Sequence, residues 1–351
     1  MKKRIAYLDV ARGIGMILVV IGHVEFINRP FRNYVTSFHM PLFFIISGIL
    51  LYVTKTEERS FGEVARSKSR SILLPYFIFS AGALLFELVR ALVKSLDMTG
   101  ELLRRLFQTL CLQGFSTFWF LPTLLIGELI FVKVRQSFDV KKTAGIGVCL
   151  VVLMYFAALG EKSFYGAHAG VLGYELLHDV LLVPIRGAFA SGYIFLGYFL
   201  GMLLEKREGI LWKDCPVGIL LLAATAVMNG FASFIDLRFL EFGNPVLFLL
   251  RTICGSLGVI LLCRGPEVYL DSVPGKMLRY IGQNSLIIMV THLDYRILNY
   301  SIKAAALVNG FVGNQMLYAV LTVVFVFLFE VAVIYVINRF FYKILGRKTQ
   351  K

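Results

Sequence analysis

Residues Tyr7–His23 read YLDVARGIGMILVVIGH, an apolar run that carries one acid, one arginine and one histidine. Ionisable groups at the centre of a membrane helix cost about 2.5–3.5 kcal/mol each, so they usually face a partner or a water-filled cavity. At about 100° per residue, Arg12 and His23 point within about 20° of each other, and Asp9 lies about 60° from Arg12. The stretch therefore predicts a membrane helix with these three groups on one stripe, Arg12 and His23 being about 16 Å apart along its axis.

The rest of the chain has the same character. Its 351 residues are 58% hydrophobic, whereas soluble domains run near 45–50%, and the excess lies in runs long enough to cross a bilayer. We expect an all-α, polytopic membrane protein that forms a single domain over 1–351, with its core at about 6–345. Ten spans are predicted, at 6–27, 37–54, 72–95, 117–135, 143–160, 186–205, 214–234, 245–263, 276–297 and 316–342.

Basic loops alternate with these spans and predict the topology. Under the positive-inside rule the basic loops are cytoplasmic, and so are both termini. The same loops account for the net charge of +14, so nucleic acid is not an expected partner. On the outer side, 98–116 predicts an amphipathic interfacial segment and 161–185 a solvated loop. We expect a multi-pass protein of a cell membrane, a bacterial plasma membrane being the natural setting, in contact with membrane lipid.

Three histidines fall at one depth in this topology: His23, His39 and His292 all lie at the outer ends of predicted spans. A neutral imidazole can take a proton from a hydroxyl group and return it, so His23 is the candidate general base; packing against a neighbouring helix is the alternative. His39 is a second candidate catalytic residue. His292 is a candidate for contact with the substrate.

Other polar residues have two open interpretations each. Arg12 suits a phosphate or carbonyl ligand, or it pairs with Asp9 one turn earlier. The basic loop Arg59–Arg70 is a clamp for a phosphorylated cytoplasmic ligand or an anchor to anionic lipid; the basic residues named for this role are Arg66, Lys68 and Arg70. Trp119 predicts an interfacial aromatic belt with Phe118 and Phe120. Further candidates for substrate contact are Asp9, Asn284, Ser285 and Trp119. The five cysteines show no metal or disulfide spacing, and we expect no metal.

Four segments together resemble the acyltransferase 3 family of integral membrane O-acyltransferases, in its fucose 4-O-acetylase-like branch: LDVARGIGMILVVIGH, SFHMPLFFIISGIL, WFLPTLLIGEL and NSLIIMVTH. They follow one another in the family's order over most of the chain. The resemblance implies that His23 is the essential histidine and Arg12 its paired arginine, engaging the donor. The chain departs from the family's Arg-x-x-Arg after the second span, where it has Arg66, Lys68 and Arg70.

The resemblance also implies a cytoplasmic acyl-CoA donor and a glycan acceptor on the outer side. We expect transfer of an acyl group, first of all acetyl, from acetyl-CoA or another acyl-CoA to a hydroxyl of a cell-surface or lipid-linked polysaccharide. His23 would act as general base, and a transient acyl-histidine stays open. The competing hypothesis is a glycan or anion transporter in which Asp9, Arg12 and His23 relay protons. The sequence shows neither the inverted repeats nor the broken helices common in transporters. A sensor or assembly partner without chemistry is the third possibility.

Overall fold

The computed structural model describes residues 5–205, 214–231, 235–264 and 270–345. Within these ranges the chain is helical and contains no β-strand, which confirms the all-α prediction. The helices, in chain order, are α1 (Ala6–Gly22), α2 (Arg29–Thr36), α3 (His39–Val53), α4 (Phe61–Val93), α5 (Thr99–Leu110), α6 (Phe120–Ser137), α7 (Val140–Ala167), α8 (Leu172–Glu205), α9 (Asp214–Asn229), α10 (Pro245–Cys263), α11 (Val273–Gln283), α12 (Ser285–Thr291), α13 (Ile297–Asn309) and α14 (Gln315–Phe340).

Six helical stretches in the described ranges are long and apolar enough to cross a membrane: α4, α7, α8, α10, α14 and the stretch Arg29–Val53 that joins α2 to α3. Lipid contact explains why α7 leaves large apolar side chains uncovered on one face, at Val148, Val152, Phe156 and Leu159. Such a row would be an aggregation liability in water. The chain is therefore a multi-pass membrane protein, and the count of ten spans stays a prediction.

The predicted basic loop before the third span is wrong, because α4 begins at Phe61 and continues unbroken to Val93. Its start is fixed by Ser60, whose hydroxyl accepts a hydrogen bond from the backbone N–H of Glu63. A serine followed three residues later by a glutamate is a helix-starting signal. Arg66, Lys68 and Arg70 consequently lie on a helix, at positions set by the helical period.

The predicted solvated loop at 161–185 is also wrong. Helix α7 runs on to Ala167 and α8 begins at Leu172, so a short turn containing His168 replaces the loop. With 28 and 34 residues, the two helices are about 42 and 51 Å long, which exceeds the roughly 30 Å of a bilayer's hydrocarbon core. Each helix is therefore longer than a perpendicular crossing of the hydrocarbon core requires.

The predicted ninth span, 276–297, is broken. Helix α11 ends at Gln283 and α12 starts at Ser285, with Asn284 outside helical geometry between them. The expectation that broken helices are absent is therefore wrong. Three further helices have no counterpart among the predicted spans: α2, α13 and α5, which lies in the segment 98–116 predicted to be interfacial.

The chain divides into two compact units, each assembled from separate pieces of sequence. The first unit comprises 1–46, 203–292 and 296–335, and the second comprises 47–202, 293–295 and 336–351. The prediction of a single domain is not tested by this division. The candidate histidines all belong to the first unit.

In the first unit, α1 crosses α11 at two glycines. A Cβ atom on Gly13 would lie 2.0 Å from the carbonyl oxygen of Leu278, and one on Gly282 would lie 1.8 Å from the carbonyl oxygen of Asp9. Gly13 therefore contacts Leu278, four residues before Gly282, and Gly282 contacts Asp9, four residues before Gly13. Small residues allow this close approach of membrane helices.

The ends of the first unit's helices meet in two groups. At one end, Arg264 after α10 pairs with Asp214 at the start of α9 (2.7 Å) and lies over the Tyr7 ring near the start of α1. At the other end, Phe26 after α1 stacks on Tyr318 in α14, with ring centroids 4.4 Å apart. These contacts fix the relative directions of four helices, and they agree with the alternation that the basic loops predict.

Candidate active site

His23 caps the C-terminus of α1 and is half-buried. Its ring lies 5.3 Å from that of His292 between centroids, tilted by 46°. The glycine crossing explains this meeting, because His23 is ten residues beyond Gly13 and His292 is ten residues beyond Gly282. Ten helical residues rise about 15 Å. The stretch after Gly282 passes the break at Asn284, and His292 still lies beside His23.

The tautomers of the two neighbouring histidines are set by backbone carbonyls. Nδ1 of His292 lies 2.6 Å from the carbonyl oxygen of Ile288, and Nδ1 of His39 lies 3.1 Å from that of Val35. Since a carbonyl only accepts hydrogen bonds, Nδ1 carries the hydrogen in both rings and Nε2 is left as an acceptor. His39 also joins the cluster in space, because its Cε1 atom lies 4.0 Å from where a Cβ on Gly22 would be.

The imidazole of His23 makes no hydrogen bond to any residue in the part of the chain that the structure describes, although its backbone N–H donates to the carbonyl oxygen of Val20 at 3.1 Å. The basic nitrogen of its ring therefore has no hydrogen-bond partner among the described residues. Two cations, Arg32 and Arg238, act on it electrostatically from α2 and from the connection between α9 and α10. In that connection, which lies outside the helices, burial raises the pKa of Asp236. The positive charge of Arg238 acts in the opposite direction and lowers that pKa.

Arg12 is held by a short chain of contacts that crosses between two helices. Its guanidinium lies 3.6 Å from a carboxylate oxygen of Asp9, and the amide of Gln283 donates to the other oxygen at 3.0 Å. Arg12 keeps 29% of its side chain exposed, against 9% for Asp9. The acid therefore steadies the arginine, whose side chain is partly exposed.

Asn284 and Ser285 lie at the break between α11 and α12 rather than beside the histidines. The buried Asn284 amide donates 2.9 Å back to the carbonyl oxygen of Tyr280, one turn earlier. Ser285 opens α12 seven residues before His292, which corresponds to about 10 Å along a helix. Their position supports the break, and their predicted contact with substrate stays untested.

Trp119 belongs to the second unit and does not form an interfacial belt. Phe118, Trp119 and Phe120 are only 0–7% exposed, whereas belt residues face the lipid headgroups. The guanidinium of Arg186 lies 5.4 Å from the Trp119 ring centroid and donates to the backbone carbonyl of Gln113 at 2.7 Å. The burial of an arginine explains the aromatic cluster, which the sequence pattern attributes to the membrane surface.

Asp179 completes this polar group in the second unit. It accepts hydrogen bonds from Gln108 and Gln113 at 3.1–3.2 Å and lies 3.6 Å from the guanidinium of Arg104. Arg104 in turn pairs with Glu175 at 3.1 Å. The basic residues of 98–116 lie on the predicted outer side against the positive-inside rule. Arg104 is neutralised by acids of α8, and Arg105 pairs with Glu101 of its own helix at 2.7 Å.

The three basic residues proposed for the donor differ in their surroundings. Lys68 pairs with the buried Glu128 of α6 at 2.9 Å, and the hydroxyl of Ser47 donates to the same carboxylate. Arg66 and Arg70 are exposed. A phosphorylated ligand would meet these two arginines without first breaking the buried ion pair of Lys68.

No group of three or more histidine, cysteine, aspartate or glutamate side chains within the described ranges has an arrangement suited to a metal ion. The histidine cluster offers groups that can take part in proton transfer. Two of its imidazoles are fixed acceptors and the third is uncommitted. Such a group can accept hydrogen bonds from a polyhydroxy compound and can remove one of its protons.

Comparison with known proteins gives one informative match. A family model described as an acyltransferase domain matches residues 5–337, which is nearly the whole chain. No curated protein matches the chain. No solved structure matches it either.

Proposed function

The chain belongs to the acyltransferase 3 family, whose model matches residues 5–337, and we propose that it moves an acyl group from cytoplasmic acyl-CoA to a sugar hydroxyl of a cell-surface or lipid-linked polysaccharide. Membership makes it a membrane acyltransferase. The acetyl group, the CoA donor, the glycan acceptor and the place in the fucose 4-O-acetylase-like branch are part of the proposal. So are ten spans with both termini in the cytoplasm of a bacterial cell.

The observation that carries the proposal is the uncommitted imidazole of His23 beside two imidazoles with fixed tautomers. In the proposed step, His23 takes the proton of a sugar hydroxyl as its oxygen attacks the thioester carbonyl carbon. The ester bond forms, the carbon–sulfur bond breaks, and the proton passes from His23 to the departing CoA thiolate. Holding both reactants in place removes most of the entropic cost of their encounter.

Arg12 supports the donor side of the proposal. It stands about 16 Å from His23 along α1, a distance that the extended pantetheine arm of CoA can span. Its partly exposed guanidinium, steadied by Asp9, suits an oxygen of the donor. Arg66 and Arg70 on α4 are the exposed cations proposed for the CoA phosphates.

Substituting His23 tests this assignment directly. We expect His23→Ala to abolish O-acylation of surface glycans, measured by mass spectrometry, in a deletion strain that carries the variant at normal membrane levels. His168→Ala is the matched control, because His168 lies in the turn between α7 and α8. Full acylation with the His23 variant would end the proposal.

One observation favours the transport hypothesis, so an experiment has to distinguish transport from acyl transfer. Broken helices are common at the binding sites of transporters, and the predicted ninth span is broken at Asn284. A transporter would move glycan or anion across vesicles in the absence of acyl-CoA, with Asp9, Arg12 and His23 required. An acyltransferase would show no flux under those conditions and would form an ester when acyl-CoA is added.

A further inference from the structure

His292 contains a buried polar atom that the fold does not use. The residue is fully buried, and its Nε2 atom has no hydrogen-bond partner among the described residues. Native proteins pair nearly all such atoms with protein, water or ligand. An unpaired buried acceptor next to the candidate base is therefore a position where a ligand is expected.

The tautomer of His292 specifies what that ligand must offer. Because Nδ1–H donates to the carbonyl oxygen of Ile288 at 2.6 Å, Nε2 presents a lone pair and can only accept. A carboxylate, an ester carbonyl or an ether oxygen would set two lone pairs against each other. A hydroxyl group supplies the required hydrogen without adding a buried charge.

The distance between His292 and His23 indicates which hydroxyl group of the acceptor contacts His292. The two rings are 5.3 Å apart between centroids, a separation that two neighbouring hydroxyl groups on one sugar ring can bridge. We propose that His292 accepts a hydrogen bond from the hydroxyl next to the one that His23 deprotonates. The acceptor is then a sugar with two adjacent free hydroxyl groups, and this assignment rests on the proposed acyl transfer.

The test uses small alcohols that isolate the second hydroxyl. Purified full-length protein is given acetyl-CoA with cyclohexane-1,2-diol, with 2-methoxycyclohexanol or with cyclohexanol, and the ester product is quantified. In 2-methoxycyclohexanol the neighbouring oxygen is present but cannot donate. Because one neutral hydrogen bond changes an equilibrium by about twofold to thirteenfold, we expect kcat/KM per hydroxyl to be higher for the diol by a factor in that range.

Two variants separate binding from structure. His292→Phe should erase the preference for the diol, measured as the ratio of kcat/KM for the diol to kcat/KM for cyclohexanol within the same preparation. His292→Gln should keep part of the preference, since its amide oxygen can accept the same hydrogen bond. Thermal unfolding of both variants monitors folding, and the ratio between two acceptors is unaffected by the amount of active protein.

Each outcome decides between the two proposals. If the wild type shows no preference, or if His292→Phe keeps it, the inference about His292 is overturned and the acyl transfer stands. If His292→Phe lowers transfer to all three alcohols equally, His292 has a structural role and the inference is again overturned. If no alcohol is esterified in a His23-dependent way, the proposed function fails together with the inference.

Discussion

The single hydroxyl hydrogen of Thr291 has three possible acceptors: one oxygen of Ile287 and two oxygens of Glu330. The hydroxyl oxygen of Thr291 lies 2.7 Å from the carbonyl oxygen of Ile287, and 2.9 and 3.0 Å from the two carboxyl oxygens of Glu330. If the hydroxyl donates to Ile287, its contact with Glu330 needs a hydrogen on the carboxyl group. We infer that Glu330 is a neutral acid, in keeping with its complete burial, since an isolated buried charge would be far more costly.

This inference predicts a pattern of stabilities. Glu330→Gln should unfold close to the wild type, because its amide can still donate to the Thr291 hydroxyl. Thr291→Val should lose about 1–3 kcal/mol, because it leaves a buried carboxyl group unpaired. The double variant Thr291→Val with Glu330→Met should recover most of this loss, since no polar atom is left unpaired. Thermal unfolding in detergent measures all three, and a Glu330→Gln variant as unstable as Glu330→Ala would show that the carboxylate is charged.

At the level of elements, the crossing of α1 and α11 sets the height of the candidate site. Gly13 and Gly282 bring the two backbones together, and Gln283 binds Asp9 immediately beside the crossing. His23 and His292 stand the same number of residues beyond it. Any change that separates the helices at the glycines therefore also displaces the two imidazoles and the Asp9–Arg12 pair.

Gly282→Ala tests this dependence. Its Cβ would lie 1.8 Å from the carbonyl oxygen of Asp9, so the helices must move apart, at a cost of about 1–3 kcal/mol for overpacking. We expect a lower unfolding temperature and a loss of acyl transfer larger than the loss of folded protein. Gly160→Ala in α7 is the control, because nothing lies within 4 Å of its Cβ and alanine favours a helix by roughly 0.5–1 kcal/mol. Equal behaviour of the two variants would contradict the role of the crossing.

The apolar runs of the sequence predict the helices well where the membrane limits them. Helix α10 has the predicted bounds, 245–263. Where a helix continues into water, the hydropathy pattern fails: α4, α7 and α8 extend through polar residues that were expected to be loops. The Ser60 cap marks the extended end of α4, and it is a local signal that a hydropathy pattern does not contain.

The candidate site likewise has some features that the sequence predicts and others that it does not. The common depth of His23, His39 and His292 follows from the direction of each span, and the structure places these residues together. The pairing of Asp9 with Gln283 joins residues 274 positions apart, so it depends on which helices pack against each other. No spacing within one segment carries that information.

For the whole molecule, sidedness is the property on which the proposed chemistry depends, because the proposal takes its acyl-CoA donor from the cytoplasm and its glycan acceptor from the outer side. The positive-inside rule places the turn after α1 and the connection before α14 on the outer side. In the structure, the turn after α1 contacts the start of α14. Phe26 stacks on Tyr318, and the backbone carbonyl oxygen of Phe26 accepts a hydrogen bond from the side chain of Gln315 at 3.0 Å. The start of α7, with its exposed Lys141, is predicted to be cytoplasmic.

Single cysteines in a variant without the five native ones test sidedness with a membrane-impermeant maleimide. We expect Glu25→Cys and Val312→Cys, both at exposed positions, to be labelled on intact cells, and Lys141→Cys only after the cells are opened. The contact between Phe26 and Tyr318 requires the first two to behave alike. Labelling of one without the other would contradict the packing of α1 on α14. Protection of both, with labelling of Lys141→Cys, would invert the topology, and His23 would then face the compartment that holds the donor rather than the glycan.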